Sequence, residues 1–180
     1  MVIIKTKEFI LRPLKISDAQ KYYEITQDKL SQLGFSHPPK NIAEAKKDIQ
    51  DYINQGKKKI GEPFAIEIGG EYAGSVILQF QNFNPQDHRG RIHIWLHPKF
   101  RGRGIMTKAV NLVVKYAFKK YKWVKIIAQT RSYNKASQGV LKRTGFKLEG
   151  VLKKDALKNG KYVDNTLWAR FNPKSLKKRG

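Results

Sequence analysis

A chain of 180 residues that is 40% hydrophobic has the size of one ordinary domain with one sizeable core, and nowhere does it approach the ~18 consecutive apolar residues that a membrane-spanning helix needs. It has no cysteine, which excludes disulfides, thiolate metal sites and cysteine nucleophiles and leaves any chemistry to oxygen and nitrogen groups. Lys and Arg number 37 against 14 Asp and Glu, a formal net charge of +23. Such a charge attracts phosphate-rich ligands and, non-specifically, RNA. It is spread over runs at Lys57–Lys59, Lys119–Lys122, Lys153–Lys154 and Lys177–Arg179, so it marks no single groove. The expectation is a soluble, cytoplasmic protein, monomer or homodimer, with one domain over residues 1–172 and a basic tail over 173–180.

Lys5 to Leu14 alternates and predicts a strand, and Ser17-Asp18-Ala19-Gln20 predicts a capping box opening a helix to about Thr26. Residues 27–40, holding Gly34, Pro38 and Pro39, read as a loop. Asn41, with Glu44 three residues later, caps a second helix whose buried stripe is Ile42, Ala45, Ile49, Tyr52 and Ile53 and whose end is Gly56. After a basic loop at 57–63 the period changes to two: Phe64–Ile68, a Gly69-Gly70 turn, then Tyr72–Phe80, a β-hairpin. A polar loop at 81–90 leads to a strand over Arg91–His97, closed by Pro98. Next come a helix over Ile105–Phe118, a strand over Val124–Thr130 and a short helix over Ser137–Arg143. Strands Phe146–Leu152 and Tyr162–Phe171, around a turn at Asn159-Gly160, complete the chain, and Lys174–Gly180 reads as a frayed tail. This order implies an α/β (mixed α+β) fold, one mixed sheet with helices packed on it.

The most informative junction is Arg101-Gly102-Arg103-Gly104, between a strand and a helix. Gly102 and Gly104 allow positive φ, so successive N–H groups can turn inward at a helix N-terminus whose dipole favours anions. This is a phosphate cradle, to which Arg101 and Arg103 can add charge-assisted bonds and Thr107 a hydroxyl. RGRG also occurs in flexible RNA-binding segments; the strand before it and the amphipathic helix after it favour the cradle.

Here the chain resembles the GCN5-related N-acetyltransferases, whose acetyl-CoA signature (Arg or Gln, two residues, Gly, one residue, Gly or Ala) is met by Arg101-Gly102-Arg103-Gly104-Ile105 up to Met106, which stands in the final small-residue position. Asn134-Lys135-Ala136-Ser137 followed by Val140-Leu141 and Gly145-Phe146 is similar to a second block of the family. Phe9-Ile10-Leu11-Arg12-Pro13-Leu14, Leu148-Glu149-Gly150, Asn159-Gly160-Lys161-Tyr162-Val163-Asp164 and Trp168-Ala169 resemble the ribosomal-protein N-acetyltransferase branch. The resemblance implies a central, mostly antiparallel twisted sheet flanked by helices, acetyl-CoA as cofactor, and backbone groups of Ile94, Trp95 and Leu96 holding pantetheine beside a gap between strands. It also implies direct attack of a neutral amine on the thioester, with a backbone N–H near Leu96 steadying the oxyanion.

Where many relatives have a tyrosine proton donor this chain has Leu141, and the branch resemblance puts Ser137 in that role; its alternative is a helix N-cap. Asn134 is expected to orient pantetheine or the adjoining loop. His93 and Asp155 are the candidates for handling the amine proton, each with a structural alternative. Lys135 and Arg143 are candidates for the 3′-phosphate. His93 and His97 lie about 13 Å apart on a strand, too far to share an ion, and no metal is expected. A polyamine acceptor suits a +23 surface poorly, whereas a protein amine on or near the ribosome suits it well. The rival readings are a basic nucleic-acid-binding module without catalysis and an enzyme of the same family acting on a small-molecule amine.

Overall fold

The structure, a computed structural model, describes residues 2–80 and 88–176. Eight strands form one sheet in the order β1-β2-β3-β4-β5-β6-β8-β7: β1 Ile4–Lys5, β2 Ile10–Pro13, β3 Gly61–Ile68, β4 Glu71–Phe80, β5 Arg89–Leu96, β6 Lys125–Arg131, β7 Lys147–Lys158 and β8 Lys161–Phe171. Every neighbouring pair is antiparallel except β5 and β6. That is the mixed, mostly antiparallel sheet expected. The helices are α1 Ala19–Gln27, α2 Lys29–Gln32, α3 Ile42–Lys57, α4 Ile105–Tyr121, α5 Lys135–Arg143 and α6 Pro173–Leu176.

Strand alternation divides the core into two layers. On one face α4 buries Val110, Val113 and Ala117 against Phe64, Val76, Ile92 and Ile126. On the other, α1 and α3 bury Tyr22, Ile25, Ala45 and Ile49 against Ala65, Ile77 and Trp95. Fully burying one such side chain contributes about 1.5–3 kcal/mol, so these two layers dominate the packing energy.

Several boundaries differ from the sequence expectation, each for a local reason. The first strand is interrupted because Thr6 Oγ1 donates to Phe9 O at 2.8 Å and accepts from Phe9 N at 3.0 Å, folding residues 6–9 into a turn between β1 and β2. The capping box at Ser17 does not form, since Asp18 accepts from Arg12 (2.8 and 2.9 Å) and from Lys15 N (2.8 Å). Asn41 does cap α3, its Oδ1 accepting from Glu44 N at 2.9 Å, while Gly56 sits inside the helix, which runs on to Lys57. Gly61, Glu62 and Pro63, read as loop, belong to β3. The loop at 27–40 contains α2, and α5 begins at Lys135, two residues before Ser137. Of the polar loop at 81–90, residues 81–87 lie outside the described residues. Gly90 is in β5, where a Cβ would stand 2.1 Å from the buried Trp123 ring. The tail's last four residues also lie outside, and 173–176 is helical.

Candidate active site

β5 carries the site. Toward β4 it is paired from Phe80↔Gly90 to Gly74↔Leu96, but toward β6 pairing covers only Arg89↔Lys125, Gly90↔Ile126 and Arg91↔Ile127. Beyond that β6 follows β8, as far as Arg131↔Asn165, and the two parallel strands part. His97 N–H donates to Ala73 O at 2.7 Å, so alternation turns the main-chain groups of Leu96 and Ile94 toward the gap. Leu96 O accepts there from Arg101 Nε at 3.1 Å.

A cleft of about 760 Å³ passes through this gap. On the α4 side it is lined by Gly102, Gly104, Thr107, Ser137, Val140 and Arg143, and on the α1–α3 side by Ser31, Phe35, Tyr52 and Trp95. Gly102 and Gly104 have φ of 76° and 75°, yet a Cβ on either would meet nothing within 4 Å. Glycine is needed there for backbone twist and not for room. No side chain caps α4, so the first-turn amides of a 17-residue helix, at its positive end, are open to an anion. Met106 is 7% exposed and packed in the core, at the inner edge of the cleft. The loop therefore fits a diphosphate, and the gap fits the thinner arm behind it.

Residues 8–147 match the family model for the acetyltransferase (GNAT) domain. The chain belongs to the GNAT acetyltransferase family. It is 30% identical over 178 residues to probable N-acetyltransferase YjcK of Bacillus subtilis (strain 168), covering 95% of this chain and 98% of that one. It is 24% identical to spermidine N(1)-acetyltransferase of Escherichia coli (strain K12), covering 84% and 80%. A solved structure of a ribosomal L7/L12 α-N-protein acetyltransferase in complex with coenzyme A superposes with a TM-score of 0.83 at 25% identity, over 94% of this chain and 98% of that one. Acetyl-CoA is the cosubstrate of this GNAT enzyme, which sets aside the non-catalytic nucleic-acid module.

Ile94, Trp95, Leu96, Arg101, Gly102, Gly104, Ile105, Met106, Thr107, Asn134, Ser137, Arg143 and His93 all line the cleft; Arg103, Lys135 and Asp155 do not. Arg103 and Lys135 are exposed beside it. Asn134, not Ser137, is the N-cap of α5: its Oδ1 accepts from Ser137 N at 3.1 Å. The cap alternative for the Ser137 side chain is thereby overturned, and Ser137 stands half-buried in the lining. Arg143 Nε lies 3.5 Å from Thr107 Oγ1, joining the C-terminal end of α5 to the first turn of α4 on the cofactor side.

The Arg101 guanidinium donates to Asp28 Oδ2 (2.8 Å), Ser31 Oγ (2.7 Å) and Leu96 O. Asp155 is an exposed residue that accepts from Asn165 Nδ2 at 2.6 Å and from Gln129 Nε2, so it holds β7 to β8 and β6 from outside the cleft. Sequence reasoning missed Ser31, Phe35, Tyr52, Gln129 and Thr130 as lining residues. No motif flags them, because they meet only when α2, α3 and β6 converge.

His93 Nε2 lies 2.9 Å from Gln79 Oε1, and Gln79 Nε2 is 2.6 Å from Gln55 Oε1. Burial, aided by the charge of Arg91, pushes the His93 pKa down to about 4. A group that weakly basic takes few protons from an ammonium, so His93 is a poor acceptor for the amine proton. Because the folded pKa lies below the unfolded value of roughly 6.5, the unfolded chain protonates first. Stability from this residue is therefore complete above about pH 6.5 and declines as pH falls toward about 4. Thermal melts across that window should show the decline, and His93→Gln should flatten it; an unchanged slope assigns it to another group.

Proposed function

We propose that this GNAT enzyme acetylates the N-terminal amine of a protein, a ribosomal protein foremost, by direct attack in a ternary complex. One observation carries the choice among acceptors: among the described residues, none lining the cleft is Asp or Glu, and the charged ones are Arg101, paired with Asp28, and Arg143. A polyamine entering this cleft would find no lining carboxylate among the described residues to pair with its second and third ammonium groups. A peptide N-terminus brings one amine, and burial beside Phe35, Tyr52 and Trp95 favours its neutral, attacking form. The net charge of +23 draws the enzyme toward acceptors embedded in RNA, with salt-dependent affinity.

Acetyl-CoA supplies the acetyl thioester. On the protein's side, the gap-facing amides near Leu96 are placed for the carbonyl oxygen as it gains charge. Asn134 holds the start of α5, and as the C–S bond breaks the Ser137 hydroxyl passes its proton to the departing sulfur and takes up the one that the attacking nitrogen sheds. The cofactor and the acceptor enter from opposite faces of the sheet and meet where β5 leaves β6.

The test is mass spectrometry of ribosomal proteins and of spermidine, each incubated with enzyme and acetyl-CoA. The expected product is one acetyl group on a protein N-terminus, with Ser137→Ala lowering kcat by roughly 100-fold or more at unchanged KM. Faster acetylation of spermidine than of any protein N-terminus would sink the proposal.

A further inference from the structure

Residues 28–36 form a segment that covers the acceptor side of the cleft, to which Leu30, Ser31, Gly34, Phe35 and Ser36 contribute lining. It is fastened at both ends by cations from elsewhere in the chain. At its far end Arg131 Nη2 donates to Ser36 Oγ (2.6 Å), and Lys158 Nζ donates to Gln32 O (2.7 Å) and Phe35 O (2.6 Å). At its near end Arg101 holds Asp28 and Ser31, while Asp28 also caps α2 by accepting from Ser31 N at 2.8 Å. The same guanidinium binds Leu96 O at the gap.

We infer that Arg101 is a positioning residue for the acceptor side: it clasps the 28–36 segment to the end of β5 and is not a ligand of the cofactor's diphosphate. Three of its nitrogens already have partners, and all three partners lie on the acceptor segment or on β5. The diphosphate is left to the amides after Gly102. Arg101 adjoins Gly102, so the residue that opens the cofactor loop also sets the cover over the amine. The inference rests on the reading of this side of the cleft as the acceptor arm.

Arg101→Ala, Arg101→Lys, Asp28→Asn and the Arg101→Ala/Asp28→Asn double variant separate the two roles. A half-exposed pair of this kind predicts that each single variant raises the KM for a peptide acceptor with a free N-terminus about fivefold. Lys is not expected to rescue, lacking the fork that spans Asp28, Ser31 and Leu96. The double variant should do no more than the Arg101→Ala single. Acetyl-CoA affinity by calorimetry should stay within about twofold of wild type throughout. Hydrogen exchange at amides 30–36 should quicken in both Arg101→Ala and Asp28→Asn, more in the former, which also frees Ser31; this arm needs no acceptor and so survives failure of the peptide reading. Loss of acetyl-CoA affinity in Arg101→Ala, or full rescue by Lys, overturns the inference, as does unaltered exchange in both variants. If peptides turn over and their KM is unmoved by Asp28→Asn, it is overturned equally.

Discussion

Gly104→Val is expected to weaken acetyl-CoA binding by about a hundredfold or more while the chain still folds. Gly104 stands at φ 75° immediately before the uncapped first turn of α4. A β-branched residue there costs on the order of 1–3 kcal/mol of backbone strain, which the loop relieves by turning out of the left-handed region and carrying its amides with it. Two charge-assisted bonds to a diphosphate lost in this way amount to roughly 3 kcal/mol, or about a hundredfold. The space around the position is open, so the core should not register the change. Calorimetry with acetyl-CoA and a thermal melt on the same sample check both halves. An affinity close to wild type would mean that the diphosphate lies somewhere other than this loop.

Gly74→Ala should strike the reaction and not cofactor capture. A Cβ on Gly74 would lie 2.3 Å from Trp95 O and 2.9 Å from Leu96 Cα. Both are main-chain atoms, so no side chain can swing aside and β5 itself must move at the residues facing the gap. A displacement of that size at a catalytic amide costs about a hundredfold in kcat, with roughly 2 kcal/mol of stability lost to the disturbed pairing. The amides from Gly102 onward lie outside the strand, so acetyl-CoA affinity should change much less. Gly150→Ala is the control, since nothing lies within 4 Å of the Cβ it would add and its turnover should match wild type. Wild-type kcat in Gly74→Ala would remove Leu96 from the reacting centre.

Much of this was readable along the chain. The Gly69-Gly70 and Asn159-Gly160 hairpins follow from turn chemistry, both pairs having positive φ, and the α3 cap follows from Asn41 with Glu44. The glycine turn before α4 was legible because its glycines, its strand and its helix are consecutive. Cap choice at α5 was not: Asn134 and Ser137 are both competent caps, and the turn in which Asn134 N donates to Arg131 O at 2.9 Å selects the first. The Ser17 capping box failed for a similar reason, Asp18 being drawn to Arg12, which also binds Glu67 far along the chain.

By itself, then, the order of residues determined the class of fold, the left-handed glycine turn before α4 and the absence of cysteine chemistry, since each depends on composition or on neighbours within a few positions. Tertiary structure alone decided where β5 and β6 part, because that depends on β6 continuing with β8 after its partnership with β5 ends. It also decided what Arg101 holds. Asp28 lies 73 positions away, and a hydrogen bond across that separation has no periodicity or turn signature, since the geometry that makes it exists only after the two core layers have closed on the sheet.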